Sequence, residues 1–450
     1  MEQANTYLKT VPFTDFLLWD VKRYITNALN SDYPLVLLSK LIYERSERVK
    51  LYDFPDKEFK ILGVNNKTGL FDAYTELGAN INQSYKKVYN QDLAYNPYRI
   101  NVGSIGWKTP NQKNEFISPA YVVFGTNDEL SSEYLYLIFK TDTFNKIIND
   151  NTTGSVRQNL KFDTLVNIKI PLPPLSEQNR IVAQYNQKIQ LAQQQEQEAN
   201  NLEQEIEEYL YSTLGISKTK KVQKEGLLDT INYREVDRWA VDSLGRLAKI
   251  ENKFKGLYPL IKFRELIFST QYGLSEKSSK EIVGPPMLRM NNIYNGELNL
   301  DDLKYISIND STYKKYKLNK GDLLFNRTNS KELVGKTALF DSDDEYTFAS
   351  YLIRVVLKED LVNKKFINYL FNSSILQFQK DLISRQITGQ ANINAQEMQE
   401  LLFPLPDCDK QNEIANHIDG LKNQIKSLRR KANANREKAL LNFEQEIFTS

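Results

Sequence analysis

This 450-residue sequence contains only one cysteine and one histidine. These two side chains are among those that most often build metal sites and nucleophilic centres. A lone Cys408 excludes an intramolecular disulfide framework and fits a reducing compartment. Cys408 and His417 together are too few for a His/Cys zinc site, and they leave little room for Ser-His-Asp or Cys-His catalysis. We therefore predict no catalytic residue and no metal site.

Long hydrophobic runs are also missing. No stretch approaches the roughly 20 apolar residues of a membrane-spanning helix, and the opening MEQANTYLKT lacks the apolar segment of a signal peptide. The chain is 41% hydrophobic with a mean hydropathy of −0.53, which allows ordinary cores. At this length we expect two or more domains in a cytoplasmic protein.

An excess of one charge is the third absence, because the formal net charge is only +2. The charges are nevertheless unevenly distributed. Residues 173–216 carry two basic and seven acidic side chains, whereas residues 422–438 carry seven basic and one acidic. Two interpretations stay open: two solvated helix faces, or two helices of complementary charge that pack against each other.

What the sequence does contain is a proline-rich segment written twice. IPLPPLSEQNRIV (170–182) returns as FPLPDCDKQNEIA (403–415). The prolines hold the chain extended and prevent a helix from extending back through them. We predict helix N-caps at Ser176 and Asp409, and a helix end at Gly215.

Each copy is followed by a polar run of nearly 40 residues, the second continuing to about Phe448. Apolar side chains recur at spacings of three and four, which is the pattern of a coiled-coil seam diluted by polar residues. They are Ile181, Tyr185, Ala192, Ala199, Leu202, Ile206 and Tyr209, then Ile414, Ile418, Leu421, Ile425, Leu428, Ala432, Ala439 and Phe443. Each helix should be roughly 55–60 Å long, and each needs a partner helix.

The repetition extends through the whole chain. YPLVLLSKLI (33–42) matches YPLIKFRELI (258–267), DLAYN (92–96) matches DLLFN (322–326), and the order of matches never changes. A unit of about 230 residues is therefore written twice. The predicted fold is an α/β (α+β) tandem duplication with two long helices in an antiparallel coiled coil and pseudo-twofold symmetry. The predicted segments are 1–172, 173–216, 217–405 and 406–450. A protein with two binding domains related by a pseudo-twofold axis has the symmetry of duplex DNA.

These motifs resemble the specificity (S) subunits of type I restriction–modification systems. The likeness rests on both proline–helix segments, on GDLLFNRTNSKELVGKTALF (321–340) and PMLRMNNIYNGEL (286–298), and on YRINVGSIGW with FISPAYVVF (98–124). It spans essentially the whole chain. Between residues 42 and 64 the first half departs from the family pattern, with YERSERVKLYD where the second half has STQYGLSEKSS.

The resemblance implies a non-catalytic subunit whose two target recognition domains each read one half of a split DNA sequence. In the family the helices set the distance between the halves, and the subunit docks two modification subunits that methylate adenine. S-adenosylmethionine, ATP and Mg would then belong to partner subunits, including restriction subunits where these join, and the chain itself holds no cofactor.

Base readout in the major groove requires Arg, Lys, Asn, Gln or Ser on loops. In the second half the candidates are Gln271, Tyr272, Gly273, Ser275, Arg289, Asn291, Arg327, Asn329, Ser330 and Lys331. In the first half they are Arg45, Arg48, Asn65, Arg99, Asn101, Ser104 and Lys108. Gly273 would permit a tight loop close to the phosphate backbone. Arg157 and Gln390, in Thr-Gly loops before each proline segment, are candidates for phosphate contact.

Alternatives remain open at this stage. Asn, Ser and Gly also fill turns for conformational reasons, so each candidate of these types has a turn interpretation. An enzyme with an attached recognition module is a second possibility, although no cofactor or metal motif is found. VGKT (334–337) is not a phosphate-binding loop, because Ser330 stands where the earlier glycine is required. A coiled-coil scaffold without a DNA role is the third.

Overall fold

The computed structural model describes residues 29–152, 159–217, 256–387 and 390–449. The chain divides into two compact units, the first made of Met1–Glu196 with Arg429–Ser450 and the second of Gln197–Leu428. Both boundaries fall inside long helices, whereas the predicted segments separated helices from domains. The reason is that the helix residues share the hydrophobic cores of the globular parts, as Leu210 and Ile414 do in the second unit.

In the first unit the strands are β1 (Leu35–Leu37), β2 (Ile42–Glu44), β3 (Arg48–Val49), β4 (Glu58–Asn65), β5 (Gly69–Leu77), β6 (Tyr85–Lys87), β7 (Leu93–Tyr95), β8 (Ile105–Trp107), β9 (Phe116–Ile117), β10 (Val122–Thr126) and β11 (Lys169–Pro171). Its helices are α1 (Ser132–Ile138), α2 (Asp142–Asn151), α3 (Phe162–Leu165) and the start of α4 (Leu175–Leu214). The strands form a pair β1-β11, a sheet β2-β10-β7-β8 and a sheet β3-β6-β9-β4-β5.

In the second unit the strands are β12 (Leu260–Lys262), β13 (Ile267–Tyr272), β14 (Pro286–Leu288), β15 (Ile293–Tyr294), β16 (Glu297–Leu298), β17 (Lys304–Tyr305), β18 (Leu323–Asn326), β19 (Thr328–Asn329), β20 (Thr337–Leu339), β21 (Thr347–Phe348), β22 (Leu352–Leu357), β23 (Arg385–Ile387), β24 (Gln390–Asn392) and β25 (Leu402–Pro404). Its helices are α5 (Phe263–Leu266), α6 (Asp310–Tyr316), α7 (Lys364–Asn372), α8 (Ser374–Ile383), α9 (Ala395–Gln399) and the start of α10 (Cys408–Ile447). The sheets are β12-β25, β13-β22-β18-β20, β17-β14-β21, β15-β16 and β19-β24-β23.

The duplication predicted from sequence is confirmed in a framework that both units share. The pair β1-β11 corresponds to β12-β25, and the sheet β2-β10-β7-β8 corresponds to β13-β22-β18-β20. A pair of helices follows each sheet, α1 with α2 and α7 with α8, and the long helices α4 and α10 have 40 residues each. Strand pairing within the corresponding sheets is antiparallel, so the fold is of the α+β type. We call residues 29–171 the first domain and residues 256–404 the second domain.

A buried aspartate explains one of the repeated sequence matches. Asp92 and Asp322 precede β7 and β18, where each carboxylate accepts a hydrogen bond from a backbone N–H three residues earlier, at 2.9 and 2.8 Å. Arg45 pairs with Asp92 at 3.1 Å, and Arg354 lies 3.9 Å from Asp322. Burial raises the pKa of both carboxyl groups, against the opposing effect of these hydrogen bonds and arginines.

The long helices begin earlier than predicted, so the N-caps expected at Ser176 and Asp409 are wrong. The helices start at Leu175 and Cys408. The carboxylate of Asp407 accepts the N–H of Lys410 at 2.8 Å and is the observed cap of α10. A proline can stand directly before a helix, because the first helical turn leaves its N–H groups without helical partners.

The helix end predicted at Gly215 is confirmed. Gly215 has a φ of 67°, and the N–H of Ile216 donates to the carbonyl of Tyr211 at 2.9 Å, which closes the last turn. The N–H of Leu257 donates to the carbonyl of Leu214 at 3.0 Å. The chain of the second domain therefore begins against the end of α4.

The end of α10 has an equivalent arrangement in the first unit. The hydroxyl of Ser31 donates to the carbonyl of Ile447 at 2.6 Å, and the N–H of Thr449 donates to the carbonyl of Asn30 at 2.9 Å. The chain of the first domain thus begins against the end of α10, as that of the second domain does against the end of α4.

The two long helices run antiparallel within the first unit. Arg180 forms an ion pair with Glu446, and Tyr185 packs its ring on Phe443 with centroids 6.4 Å apart. Further along α4, Glu196 pairs with Arg429 and Arg436 at 3.4 and 3.5 Å. Residues later in α4 thus contact residues earlier in α10, as in an antiparallel pair. The acidic–basic pairs at Glu196 support the interpretation of complementary helices.

The second unit shows the same direction of pairing. The ring of Tyr209 near the end of α4 stacks on His417 near the start of α10, with centroids 4.1 Å apart. The only histidine of the sequence thus contacts α4 across the helix seam with an exposed side chain. Ile206 and Tyr209 of α4 pack against the same core as Ile414 and Ile418 of α10.

Candidate nucleic-acid interface

Two candidate segments of the second domain are brought together by a small sheet. β19 follows the arginine of the NRTNSK stretch, and β24 begins with the candidate Gln390. The two strands pair antiparallel, with Asn329 opposite Ala391 and Thr328 opposite Asn392. The side-chain amide of Asn392 donates to the Thr328 hydroxyl at 2.7 Å. Residues that lie some 60 positions apart in sequence therefore form one surface.

Tyr272 and Arg327 join this surface. The Arg327 guanidinium lies over the Tyr272 ring at 4.9 Å, which orients both side chains. The Tyr272 hydroxyl accepts the N–H of Ala395 at 2.9 Å, directly after the segment that contains β24. The N–H of Arg327 donates to the carbonyl of Tyr351, whose side chain is 48% exposed. Three separate parts of the sequence, near residues 272, 327 and 390, thus converge.

Two of the candidate side chains carry a buried polar atom without a described partner. Nε of Arg327 and Oε1 of Gln271 are buried and have no hydrogen-bond partner among the residues that the structure describes. The other end of the Gln271 amide donates to the carbonyl of Lys315 at 3.2 Å, so its orientation is fixed. Buried polar groups are nearly always paired in native proteins, and an exception requires an explanation such as a ligand.

Gly273 is explained by the protein itself. A Cβ at this position would lie 2.4 Å from the carbonyl oxygens of Phe348 and Ala349, so only glycine lets the two backbone segments pass. The chain's own backbone therefore accounts for the glycine, and an approach to a phosphate stays a prediction. Ser275, two residues later, is exposed.

Arg289 is held by an intramolecular ion pair. Its guanidinium donates to the carboxylate and to the carbonyl oxygen of Asp302, both at 3.0 Å, and its side chain is 17% exposed. Asn291 is exposed in the short helical turn that follows. A DNA contact by Arg289 would have to compete with Asp302, whereas Asn291 presents no such obstacle.

The remaining candidates of the second domain lie on β19, on the loop after it and on β24. Oδ1 of Asn329 accepts the N–H of Ser330 at 2.8 Å, a local bond that shapes the loop. Ser330 is half-buried, and Lys331 is exposed. Gln390 is exposed as well. The loop therefore offers side chains for contact beside the Arg327–Tyr272 pair.

In the first domain, two of the candidates have internal roles. Arg45 donates to both carboxylate oxygens of Asp92, and its guanidinium lies over the rings of Tyr43 and Tyr89 at 4.8 and 5.0 Å. Oδ1 of Asn65 accepts two backbone N–H groups and the hydroxyl of Thr68 in the turn between β4 and β5. For Asn65 the structure supports the turn interpretation.

Two further candidates are buried, which conflicts with a direct DNA contact. Ser104 is 3% exposed, and its hydroxyl lies 3.5 Å from the carbonyl of Val64. Lys108 is 5% exposed and donates to the carbonyl of Val88 at 3.0 Å. Burial lowers the pKa of the Lys108 ammonium group. We leave both residues out of the proposed interface.

Arg99 also follows a strand of the corresponding sheet, but it is not equivalent to Arg327, because the match of DLAYN with DLLFN puts Pro97 at that position. Arg99 is exposed and precedes a short helical turn that contains Asn101, which is half-buried. Arg48 is exposed on β3. Arg157 lies outside the described residues, as do both Thr-Gly pairs at 153–154 and 388–389.

Sequence reasoning missed Tyr351 and Asn392. Tyr351 has an equivalent in Tyr121 at the corresponding place in the first half, which was a usable signal because an aromatic side chain is repeated next to a strand. Asn392 carries no such signal, since its role depends on the pairing of β24 with β19.

Metal and membrane chemistry find no support in the parts of the chain that the structure describes. In those ranges no group of three or more His, Cys, Asp or Glu residues is arranged to hold a metal ion. None of the described helices is both long and apolar enough to cross a membrane.

Comparison with known proteins gives the family. The model of the type I restriction modification DNA specificity domain matches residues 12–204 and 237–435, once in each half of the chain. The specificity subunit of the type I restriction enzyme EcoKI of Escherichia coli is 23% identical over 63% of this chain and 56% of that protein. The MjaVIII specificity subunit of Methanocaldococcus jannaschii is 22% identical over 80% of both chains.

A solved structure has the same fold. A chain from a study of complex assembly and conformational transition of the type I R-M system superposes with a TM-score of 0.57 and 16% identity, over 93% of this chain and 98% of that one. The sequence matches are less extensive, since they span little more than half the length of relatives such as the EcoKI subunit.

Proposed function

We propose, from the premise that this chain belongs to the type I restriction modification DNA specificity domain family, that it is the non-catalytic DNA-recognition subunit of a type I restriction–modification complex. Each of its two domains reads one half of a bipartite target. The family model matches once per half, and the two matches coincide with the structural repeat of sheet, helix pair and long helix. A protein with two copies of one recognition domain fits a DNA target in two parts.

The observation that carries this proposal is the surface at Arg327. Three segments converge there, at Tyr272, Arg327 and Gln390, and the Arg327 guanidinium is held over the Tyr272 ring. Arginine forms bidentate hydrogen bonds with guanine edges in the major groove, and glutamine forms them with adenine edges. Arg327 and the exposed Gln390 would make such contacts.

Partner subunits complete the proposed complex. Two methyltransferase subunits dock on the long helices, whose outer faces are polar and exposed, and restriction subunits join them. S-adenosylmethionine, ATP and Mg belong to those subunits, and the complex acts in the cytoplasm. The helices set the distance between the centres of the two half-sites, at most about 17 base pairs for a helix of roughly 55–60 Å, and we expect one to one and a half DNA turns with unspecified bases between the halves.

Because the net charge is only +2, the chain alone should bind DNA weakly. The test compares gel-shift affinity for a methylation target with and without the modification subunit, together with transfer of a radiolabelled methyl group. We expect tight, sequence-specific binding and methylation only from the complex. Tight specific binding by the chain alone would contradict the proposed dependence on partners.

Two competing functions are separated by the same measurements. Methyl transfer or cleavage by the isolated chain would show that it is an enzyme with its own recognition module. Absence of specific DNA binding even in the assembled complex would favour a coiled-coil scaffold.

A further inference from the structure

A buried glutamine occupies the same place in both halves of the molecule. Gln178 lies in the first turn of α4 and is 0% exposed, and Gln411 lies in the first turn of α10 and is 1% exposed. They are the glutamines of the repeated Gln-Asn pair in the two proline segments. Glutamine is seldom buried completely, so two equivalent cases point to a shared task.

Each glutamine forms the same three hydrogen bonds. Oε1 of Gln178 accepts the N–H of Ser131 at 2.9 Å, and its Nε2 donates to the carbonyls of Glu129 and Pro173, both at 2.9 Å. We call this set, and its equivalent around Gln411, a glutamine bridge.

The second bridge repeats the first in the second unit. Oε1 of Gln411 accepts the N–H of Asn363 at 2.8 Å, and its Nε2 donates to the carbonyls of Leu361 and Pro406 at 3.2 and 2.9 Å. Ser131 and Asn363 are the N-caps of the corresponding helices α1 and α7. One amide therefore joins three parts of the chain: the long helix, the proline segment before it and the cap of the helix that follows the central sheet.

Hydrophobic packing alone would leave the direction of the long helix poorly defined. Ile181 and Ile414, three residues after each glutamine, lie in the core shared with α1 and α7. Apolar burial is non-directional, whereas a hydrogen bond restricts both distance and angle. A fully satisfied buried amide adds rigidity, because every displacement leaves polar groups unpaired.

We propose that Gln178 and Gln411 are positioning residues that fix the direction in which each long helix leaves its own domain, and that they thereby determine how strictly the complex selects the spacing of the two half-sites. This inference rests on the proposed function. It assigns spacing fidelity to two buried amides that contact no DNA.

The test uses the chain co-expressed with its methyltransferase subunit, carrying Gln178→Met or Gln411→Met. Methionine has a similar volume and cannot form the bridge. Methylation is measured on targets with the native spacer and with spacers one base pair longer or shorter. We expect the variants to raise the ratio of off-spacer to native-spacer methylation by about tenfold, with the bases of each half unchanged.

Ile181→Val and Ile414→Val are the matched controls, since they remove core packing at the same joints and leave the amides intact. They should lower the thermal midpoint without changing the spacer ratio. An active glutamine variant whose spacer ratio equals that of the native complex would overturn the proposal. A native complex that methylates no bipartite target would instead overturn the proposed function.

A second measurement needs no variant. In the native protein the N–H groups of Ser131 and Asn363 should exchange with solvent deuterium as slowly as those of the central strands β7 and β18, because a bridge amide must leave before they open. Fast exchange at either residue would show that the bridges are not rigid. It would overturn the inference even if a methionine variant failed to fold.

Discussion

The two domains share a framework and differ in what is attached to it. Both contain the four-stranded antiparallel sheet, the following helix pair and the strand pair that leads into a long helix. The first domain adds the sheet β3-β6-β9-β4-β5, whereas the second adds the sheets β17-β14-β21, β15-β16 and β19-β24-β23. The shared elements carry the glutamine bridges. The candidate DNA contacts draw on both kinds of element: Tyr272 ends β13 of the shared sheet, whereas Gln390 begins β24 of an added one.

The two buried aspartates also have different arginine partners in the two domains. Asp92 is paired with Arg45, which directly follows β2, whereas Asp322 lies near Arg354 on β22. A buried carboxylate needs a nearby cation or hydrogen-bond donors, but the fold does not prescribe which strand supplies the arginine. Equivalent positions can therefore keep an interaction and change the residue that makes it.

Exchange of one recognition domain should have the largest effect on the DNA target. Replacing residues 217–405 with the corresponding part of another family member should change one half of the DNA target and leave the other half unchanged, because the framework contacts repeat in both units. The readout is a map of methylated adenines on genomic DNA. A change in both halves, or in neither, would contradict independent reading by two domains.

A change in helix length should have the next largest effect. Four residues inserted into the segment 190–198 of α4 add about one helical turn, roughly 6 Å, with a residual rotation of about 40°. We expect the spacer between half-sites to lengthen by one or two base pairs while the bases in each half stay the same.

The control replaces the exposed Gln193 and Gln194 with alanine at constant length. Methylation maps of both variants give the spacer. An active insertion variant with an unchanged gap would show that the helices do not set the spacing.

Substitution of single arginines sharpens the comparison at the level of bases. Arg327→Ala should reduce discrimination at one position of one half-site by about 5- to 150-fold, the equivalent of 1–3 kcal/mol for a bidentate base contact. Arg99→Ala should act on the other half-site. Lys331→Ala is the control, because loss of an exposed lysine should weaken binding to all sequences alike. Binding to a set of single-base target variants measures the difference, and a uniform loss for Arg327→Ala would exclude base readout.

The smallest effect concerns pH and the two aspartates. Burial raises the folded-state pKa of Asp92 and Asp322 above about 4, the pKa of an aspartate in an unfolded chain. Each carboxyl group therefore contributes most to stability below about pH 4. That contribution is lost as the pH rises through the folded-state pKa. The stability of the wild type relative to Asp92→Asn or Asp322→Asn should therefore decrease from pH 4 to pH 7. Thermal midpoints across this range test it, and parallel curves would contradict the raised pKa.

Sequence reasoning captured the duplication, because the proline segments, Gly215 and the D-L-x-[YF]-N matches reflect local backbone requirements that recur in order. It placed the helix starts two residues too late, since Ser176 and Asp409 were chosen as caps in place of Pro174 and Asp407. It misjudged Ser104 and Lys108, because their burial results from contacts with Val64 and Val88 that no local pattern encodes. The repeated glutamines were visible, but their partners lie about 47 residues away in the sequence.

The contacts at the ends of the long helices have a consequence for the order of the two halves along the chain. Leu257 donates to the carbonyl of Leu214, and Ser31 donates to that of Ile447, so the described part of each domain begins at the end of a long helix. A chain in which residues 218–450 precede residues 1–217 would keep every contact described here and would break only one peptide bond while forming another. Such a circular permutant should fold and assemble.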